Sequence, residues 1–162
     1  MSSPEEGLRI LRSDFSTFSS GLLKIRDKAG SIRPFSLNRA QQYIHERLEQ
    51  QLAETGMVRA IILKGRQQGC STYVTGRYFW RTVMDFGKQT YILTHEQSAT
   101  DNLFAMTQRY LEHYPEAMRP VLGASNAKEM QFSKLDSGYK IATAGNRGAG
   151  RSATAQYFLG SE

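Results

Sequence analysis

Residues 64 to 72 carry the side chains of an anion-binding loop. They follow the apolar run 58–63, which predicts a short buried strand, and they precede a stretch with helical character that ends near Asp85. At such a junction, unpaired backbone N–H groups and the helix dipole attract a phosphate. Gly69 permits close approach of the backbone, and the Ser71 hydroxyl suits a Mg²⁺ ion. The alternative is an ordinary glycine-bearing turn between a strand and a helix.

The loop departs from the usual phosphate-loop pattern G-x-x-x-x-G-K-[ST]. When Gly69 and Ser71 are aligned with the last glycine and the hydroxyl, Cys70 occupies the lysine position and Lys64 the first position. A neutral thiol cannot balance phosphate charge, so another cation is needed. Lys64 and Arg66 are both candidates, because a closed loop brings its entrance near its exit.

The segment Arg66-Gln67-Gln68-Gly69-Cys70-Ser71 resembles the R-Q-x-G-K-[ST] loop of the large subunits of tailed-phage terminases, the ATPases that package viral DNA. Some terminases, the lambda type among them, carry a deviant loop with the lysine at its front. The resemblance implies that Lys64 is that displaced lysine and that Arg66 acts in cis near the γ-phosphate. The residues expected to contact the nucleotide are Lys64, Gly65, Arg66, Gln67, Gln68, Gly69, Cys70, Ser71, Thr72 and Gln41.

Gln41 ends a segment, residues 34 to 41, that resembles the adenine-recognition segment of terminases. An amide can both donate to and accept from the edge of a base, which suits that role. Asn38 and Gln41 also have the spacing of a capping box at the start of a helix. Sequence alone leaves both interpretations of Gln41 open.

The end of the chain resembles a Walker B strand. An apolar run at 157–159 leads to Ser161 in the position of the usual aspartate and to Glu162 in the position of the catalytic carboxylate. The resemblance implies that Glu162 orients the attacking water. Since a serine binds Mg²⁺ only weakly, directly or through water, we expect the metal to depend on Ser71 together with Ser161.

A glycine-rich segment at 145–152 contains two arginines. By its spacing from Glu162, Arg151 resembles the terminase arginine that acts in trans on a neighbouring subunit's nucleotide, and we prefer it to Arg147. The alternative is a flexible basic loop that contacts solvent or DNA.

The resemblance implies an α/β fold: a P-loop NTPase domain of the additional-strand, RecA-like class, with three layers and a mostly parallel sheet. It covers residues 22–162, after a polar segment at 1–21. It implies a motor that hydrolyses ATP with Mg²⁺ and moves double-stranded DNA into a procapsid, with the portal and the terminase small subunit as partners and a homo-oligomeric ring as the working form. In that class the strand after Walker B inserts beside the phosphate-loop strand. The chain stops before it, so we expect a fragment that is inactive alone, with unpaired strand edges and exposed apolar faces.

Two alternatives to a terminase stay open. One is a superfamily-2 helicase or translocase, whose glutamine segment and Walker motifs are similar. The other is a non-catalytic nucleic-acid-binding module that keeps the fold, an interpretation to which Cys70 and Ser161 give weight.

Composition favours a polyanionic partner and a reducing compartment. The 162 residues include 21 Lys and Arg against 15 Asp and Glu, a net charge of +6. A solvated basic surface without a partner explains this charge equally well. Cys70 is the single cysteine, no apolar run approaches the ~20 residues needed to span a membrane, and the N-terminus does not resemble a signal peptide. We therefore expect a cytoplasmic protein without membrane association, and the resemblance to terminases implies that the cell is the bacterial host.

The elements expected to position these residues follow from local patterns. A hairpin turns at Gly30, and a helix runs from the Asn38 cap to Gly56. A strand at 89–93 precedes a helix that we expect Thr94 to cap. A second hairpin turns at 136–138, and the last strand covers 157–159.

Overall fold

The chain contains both helices and strands and forms a mixed α/β fold. The computed structural model describes residues 3–126, 128–145 and 154–161. Its helices are α1 (Pro4–Ser13), α2 (Phe15–Leu22), α3 (Arg39–Thr55), α4 (Cys70–Met84) and α5 (Gln97–Glu112). Its strands are β1 (Lys24–Arg26), β2 (Ile32–Pro34), β3 (Gln89–Thr94), β4 (Leu122–Asn126), β5 (Glu129–Phe132), β6 (Ser137–Thr143) and β7 (Tyr157–Ser161).

The first hairpin and α3 form as predicted. β1 pairs antiparallel with β2, and Gly30 adopts a positive φ of 86° in the turn between them. Helix α3 begins after Asn38 with both hydrogen bonds of the capping box, and it ends at Gly56 in the left-handed conformation. These features depend on neighbours in sequence, which explains why the sequence predicts them well.

The main sheet is mixed rather than mostly parallel. Its strand order is β4-β5-β6-β3-β7, and β3 pairs parallel with both β6 and β7. The other two pairings, β4 with β5 and β5 with β6, are antiparallel. The connections between these strands are too short for the crossover that a parallel pair requires, so antiparallel pairing follows. The second predicted hairpin, β5 with β6, is confirmed.

The helices cover one face of the sheet in the described residues. On that face Thr82 of α4 meets Thr90 of β3 at 2.8 Å, and Thr100 of α5 meets Thr143 of β6 at 2.7 Å. Side chains alternate along a strand, so Lys140 and Phe158 point to the opposite face, and both are exposed. The second helical layer of the predicted three-layer domain is therefore absent from this part of the chain.

The segment before residue 22 contributes to the core. Phe15 and Phe18 of α2 are fully buried and pack against Trp80 of α4. The indole Nε1 of Trp80 donates to the carbonyl of Leu11 in α1 at 2.7 Å. The division at residue 22 stays a prediction, but packing continues across it.

Thr94 does not cap α5 as predicted. The helix begins after Glu96, and no side chain caps it. Thr94 is instead the last residue of β3, where its carbonyl accepts the N–H of Ala144 at 2.7 Å. Its hydroxyl lies 2.6 Å from that of Thr100. Pairing with β6 thus extends β3 by one residue and removes Thr94 from the cap.

Candidate phosphate-binding site

The predicted strand at residues 58–63 is wrong, because this segment forms no regular secondary structure. Ile61 and Leu63 are fully exposed, and Ile62 packs against the core. A strand takes its backbone hydrogen bonds from a neighbouring strand. No described strand lies beside this segment, and β7 at the sheet edge pairs only with β3 there. The side-chain amide of Gln51 instead binds the backbone of Arg59, accepting its N–H at 2.9 Å and donating to its carbonyl at 3.0 Å.

The exit of the loop has the geometry of an anion site. Gly69 precedes α4 in the left-handed conformation with a φ of 76°, and no side chain caps the helix. Side chains usually satisfy some of the first N–H groups of a helix, so an uncapped N-terminus leaves them for an anion or water. Ser71 and Thr72, in that first turn, are half-buried. The predicted junction between the loop and a helix is confirmed at the loop exit.

Helix α4 packs against the sheet next to β3. Thr82, near the end of α4, contacts Thr90 at the start of β3, and a short turn joins the two elements. In α/β sheets, ligands bind beyond the carboxyl ends of the strands. Thr94, Thr143 and Ser161 stand at that edge in register.

The candidate cations lie at the loop entrance. Lys64 and Arg66 are exposed, and neither forms an ion pair within the described residues. Cys70 is buried, with 5% of its surface exposed. The phosphate-binding roles of Lys64 and Arg66 stay predictions.

Gln41 caps α3 and also contacts the loop. Its side-chain oxygen accepts the N–H of Asn38 at 2.9 Å, and its Nε2 donates to the carbonyl of Gly69 at 2.8 Å. The side chain is buried, and both ends of its amide have partners in the chain. The capping interpretation is confirmed. The adenine-reading role stays a prediction, and in this conformation it would require Gln41 to exchange a partner.

One cavity adjoins the loop of residues 64–72, and a second lies beside the segment that precedes the loop. The first, of about 300 Å³, is lined on the α3 side by Tyr43 and Arg47 and on the loop side by Lys64, Gln68 and Cys70. The guanidinium of Arg47 lies 5.4 Å from the centre of the Tyr43 ring. The other cavity, of about 970 Å³, separates residues 57–62 from α4 and β7. The smaller cavity reaches the lower end of the size range for ligand pockets.

The structure describes only some of the residues that are predicted to bind the metal or to act in catalysis. Ser161 ends β7 opposite Thr94 of β3. Glu162, Arg147 and Arg151 lie outside the described residues, so their predicted roles stay predictions. In the described ranges, no group of three or more His, Cys, Asp or Glu side chains could hold a metal ion.

A buried polar cluster joins α3 to α4 beneath the loop, and no sequence pattern indicates it. The Tyr73 hydroxyl lies 3.0 Å from Nδ1 of His45, Arg77 approaches the same nitrogen at 3.4 Å, and Arg77 also pairs with Glu49. A guanidinium can only donate, so Nδ1 of His45 is the acceptor and its proton lies on Nε2. Burial, and then the Arg77 charge, lower the pKa of His45.

The sequence matches no known protein-family model, and a search of curated proteins finds no similar sequence. The described residues contain no helix that is long and apolar enough to cross a membrane. The functional conclusion therefore depends on the residues and their geometry.

Proposed function

We propose that this chain binds ATP with Mg²⁺ at the loop of residues 64–72 and is the ATPase motor domain of a terminase-like DNA-packaging protein. The observation that carries the proposal is the uncapped N-terminus of α4, which follows Gly69 in the left-handed conformation. The exposed cations Lys64 and Arg66 at the loop entrance support it.

The residues fit a triphosphate better than a bare metal ion. The first turn of α4 offers N–H groups and the Ser71 hydroxyl, and the loop entrance offers Lys64 and Arg66. Mg²⁺ in nucleotide sites usually keeps several waters and binds the phosphates with few protein ligands. Ser71 and Ser161 would suffice as such ligands, directly or through water. Bound Mg²⁺ would neutralise charge that develops on the phosphates.

Each residue has a separate task in this proposal. Lys64 balances the charge of the outer phosphates, and Arg66 acts in cis near the γ-phosphate. Glu162 orients the attacking water, and Arg151 reaches the nucleotide of the next subunit in a ring. The net charge of +6 suits a chain that moves along DNA.

The affinity for MgATP, MgADP and AMP, measured by isothermal titration calorimetry on the purified chain, tests the site. Because the proposed loop binds the phosphates, affinity should rise with their number. We therefore expect ATP to bind more tightly than ADP, and ADP more tightly than AMP. Equal affinity for ATP and AMP would show that the loop does not hold the outer phosphates. No binding of any of the three would overturn the proposal for this chain.

The motor role needs a separate measurement. We expect the chain to bind double-stranded DNA of unrelated sequences with similar affinity, and we expect the affinity to fall steeply as salt rises. DNA binding that is undetectable at low salt would leave an ATP-binding domain and remove the support for a DNA motor.

A further inference from the structure

The two residues that cap α3 also hold two consecutive carbonyls of the loop. In the capping box, the Asn38 Oδ1 accepts the N–H of Gln41, and the Gln41 Oε1 accepts the N–H of Asn38, both at 2.9 Å. The remaining group of each side chain is an NH₂, which can only donate. Asn38 Nδ2 donates to the carbonyl of Gln68 at 3.3 Å, and Gln41 Nε2 donates to the carbonyl of Gly69 at 2.8 Å.

Each amide therefore uses its oxygen for the helix and its nitrogen for the loop. A loop that binds phosphate must present N–H groups and turn its carbonyl oxygens away, since both the carbonyls and the phosphate carry negative charge. The carbonyls of Gln68 and Gly69 are the last two before α4 begins, and the Gly69 carbonyl also accepts the first hydrogen bond of the helix, from the N–H of Tyr73 at 2.9 Å. The donors from α3 hold the Gln68 carbonyl and add a second hydrogen bond to that of Gly69.

The loop backbone needs this support. Gln67 has a positive φ of 60° and Gly69 one of 76°, so left-handed residues flank Gln68. A non-glycine residue in that region costs about 1 kcal/mol or more and persists where its surroundings hold it. Gly69 also lies close to the donors, because a Cβ atom there would stand 2.6 Å from Gln41 Nε2. The contact thus requires a glycine at 69.

We propose that Asn38 and Gln41 are positioning residues for phosphate binding: their side-chain NH₂ groups hold the carbonyls of Gln68 and Gly69 away from the anion. The proposal rests on the proposed function, since it concerns the same loop. It adds Asn38 to the site. It also gives Gln41 a task at the phosphate end of the nucleotide rather than at the base.

Two substitutions separate this task from helix capping. Asn38→Ser keeps an acceptor that is favoured at a helix N-cap but is too short to reach Gln68. Gln41→Glu keeps the oxygen of the capping box and loses the donor to Gly69. Gln42→Glu is the matched control for the added charge, because Gln42 is the exposed neighbour on α3 and its side chain donates to Glu46, at 3.1 Å, and not to the loop.

Affinities for MgATP and for inorganic tripolyphosphate, measured by calorimetry together with the melting temperature, test the proposal. Because each variant loses one hydrogen bond, we expect Asn38→Ser and Gln41→Glu to bind both ligands about threefold to tenfold more weakly. The melting temperatures of both variants should fall by about 2–4 °C, because the lost hydrogen bond also supports the strained loop backbone. Gln42→Glu should bind both ligands as the parent chain does.

The other outcomes each overturn the proposal in a different way. If Gln41→Glu weakens ATP and leaves tripolyphosphate unchanged, Gln41 reads the base. If the melting temperatures fall and both affinities stay unchanged, the contacts are purely structural. If Gln42→Glu weakens binding as much as Gln41→Glu, charge alone explains the effect. If the parent chain binds neither ligand, the proposed function itself fails, and this inference fails with it.

Discussion

The two ends of the loop differ sharply although apolar residues flank both of them. At the exit, α4 is largely buried and packs against α5 and the sheet. At the entrance, residues 58–63 form no regular secondary structure, and Ile61 and Leu63 are fully exposed. A helix makes its backbone hydrogen bonds within itself, whereas a strand needs a partner. An apolar run thus predicts burial only where the neighbouring element is also in place.

The largest expected effect is on the free energy of unfolding, and one matched pair of substitutions measures it. Ile92 of β3 is fully buried and Ile61 is fully exposed. We expect Ile92→Ala to cost about 2–5 kcal/mol because it leaves a cavity in the core. Ile61→Ala should change the free energy by less than about 0.5 kcal/mol. Urea denaturation measures both, and a large loss in Ile61→Ala would show that the entrance packs in solution.

Substitutions of glycine by alanine have the next largest expected effect on the free energy of unfolding. We expect Gly69→Ala to destabilise the chain by about 1–3 kcal/mol, because a φ of 76° is strained for alanine and the new Cβ would meet Gln41 at 2.6 Å. Gly21 of α2 has an ordinary φ, and a Cβ atom added there would meet no other atom within 4 Å. Gly21→Ala should stabilise the helix by about 0.4–1 kcal/mol. Equal effects of the two variants in thermal unfolding would contradict the loop geometry.

The smallest expected effect is a pH dependence of the free energy of unfolding, which arises from His45 in the interface between α3 and α4. The folded state lowers the pKa of His45, so the unfolded chain binds its proton first as the pH falls. The contribution of neutral His45 to the free energy of unfolding is complete above the ordinary histidine pKa near 6.5. It decreases as the pH drops below that value toward the lower pKa of the folded state. Arg77, Glu49, Glu46, Asp14 and Tyr73 are the charged and titratable groups that face this ring.

His45→Asn keeps an acceptor for Tyr73 but cannot titrate. We expect the melting temperature of this variant to fall less than that of the parent chain between about pH 7.5 and pH 5.5. His95 is half exposed beside Glu96 and serves as the control. If His95→Asn removes the pH dependence and His45→Asn does not, the buried cluster is not its source.

Local signals in the sequence predicted much of the fold. The capping box of Asn38 and Gln41, the end of α3 at Gly56 and the turn at Gly30 all depend on residues within one or two turns. The hairpin of β5 and β6 followed from alternating apolar residues around a short turn. Each of these elements makes its defining hydrogen bonds with near neighbours in sequence.

Long-range pairing explains the predictions that were wrong. Residues 58–63 can form a strand only beside another strand. Thr94 does not cap α5 because it pairs with β6, which is distant in sequence. The contacts of His45 with Tyr73 and Arg77 cross 28 and 32 residues. The loop was identified from its residue types, but the donors from Asn38 and Gln41 to its carbonyls have no pattern in the sequence.

The central claim is that positive charge reaches the phosphates from the loop entrance and not from the first residue of α4. Binding of MgATP by Lys64→Ala and Cys70→Ala, compared with the parent chain, tests it directly. We expect Lys64→Ala to lose affinity at least about tenfold, because it removes a charged hydrogen-bond donor. Cys70→Ala, which changes a buried neutral side chain, should bind as the parent chain does. Unchanged binding in Lys64→Ala together with loss of binding in Cys70→Ala would contradict the account.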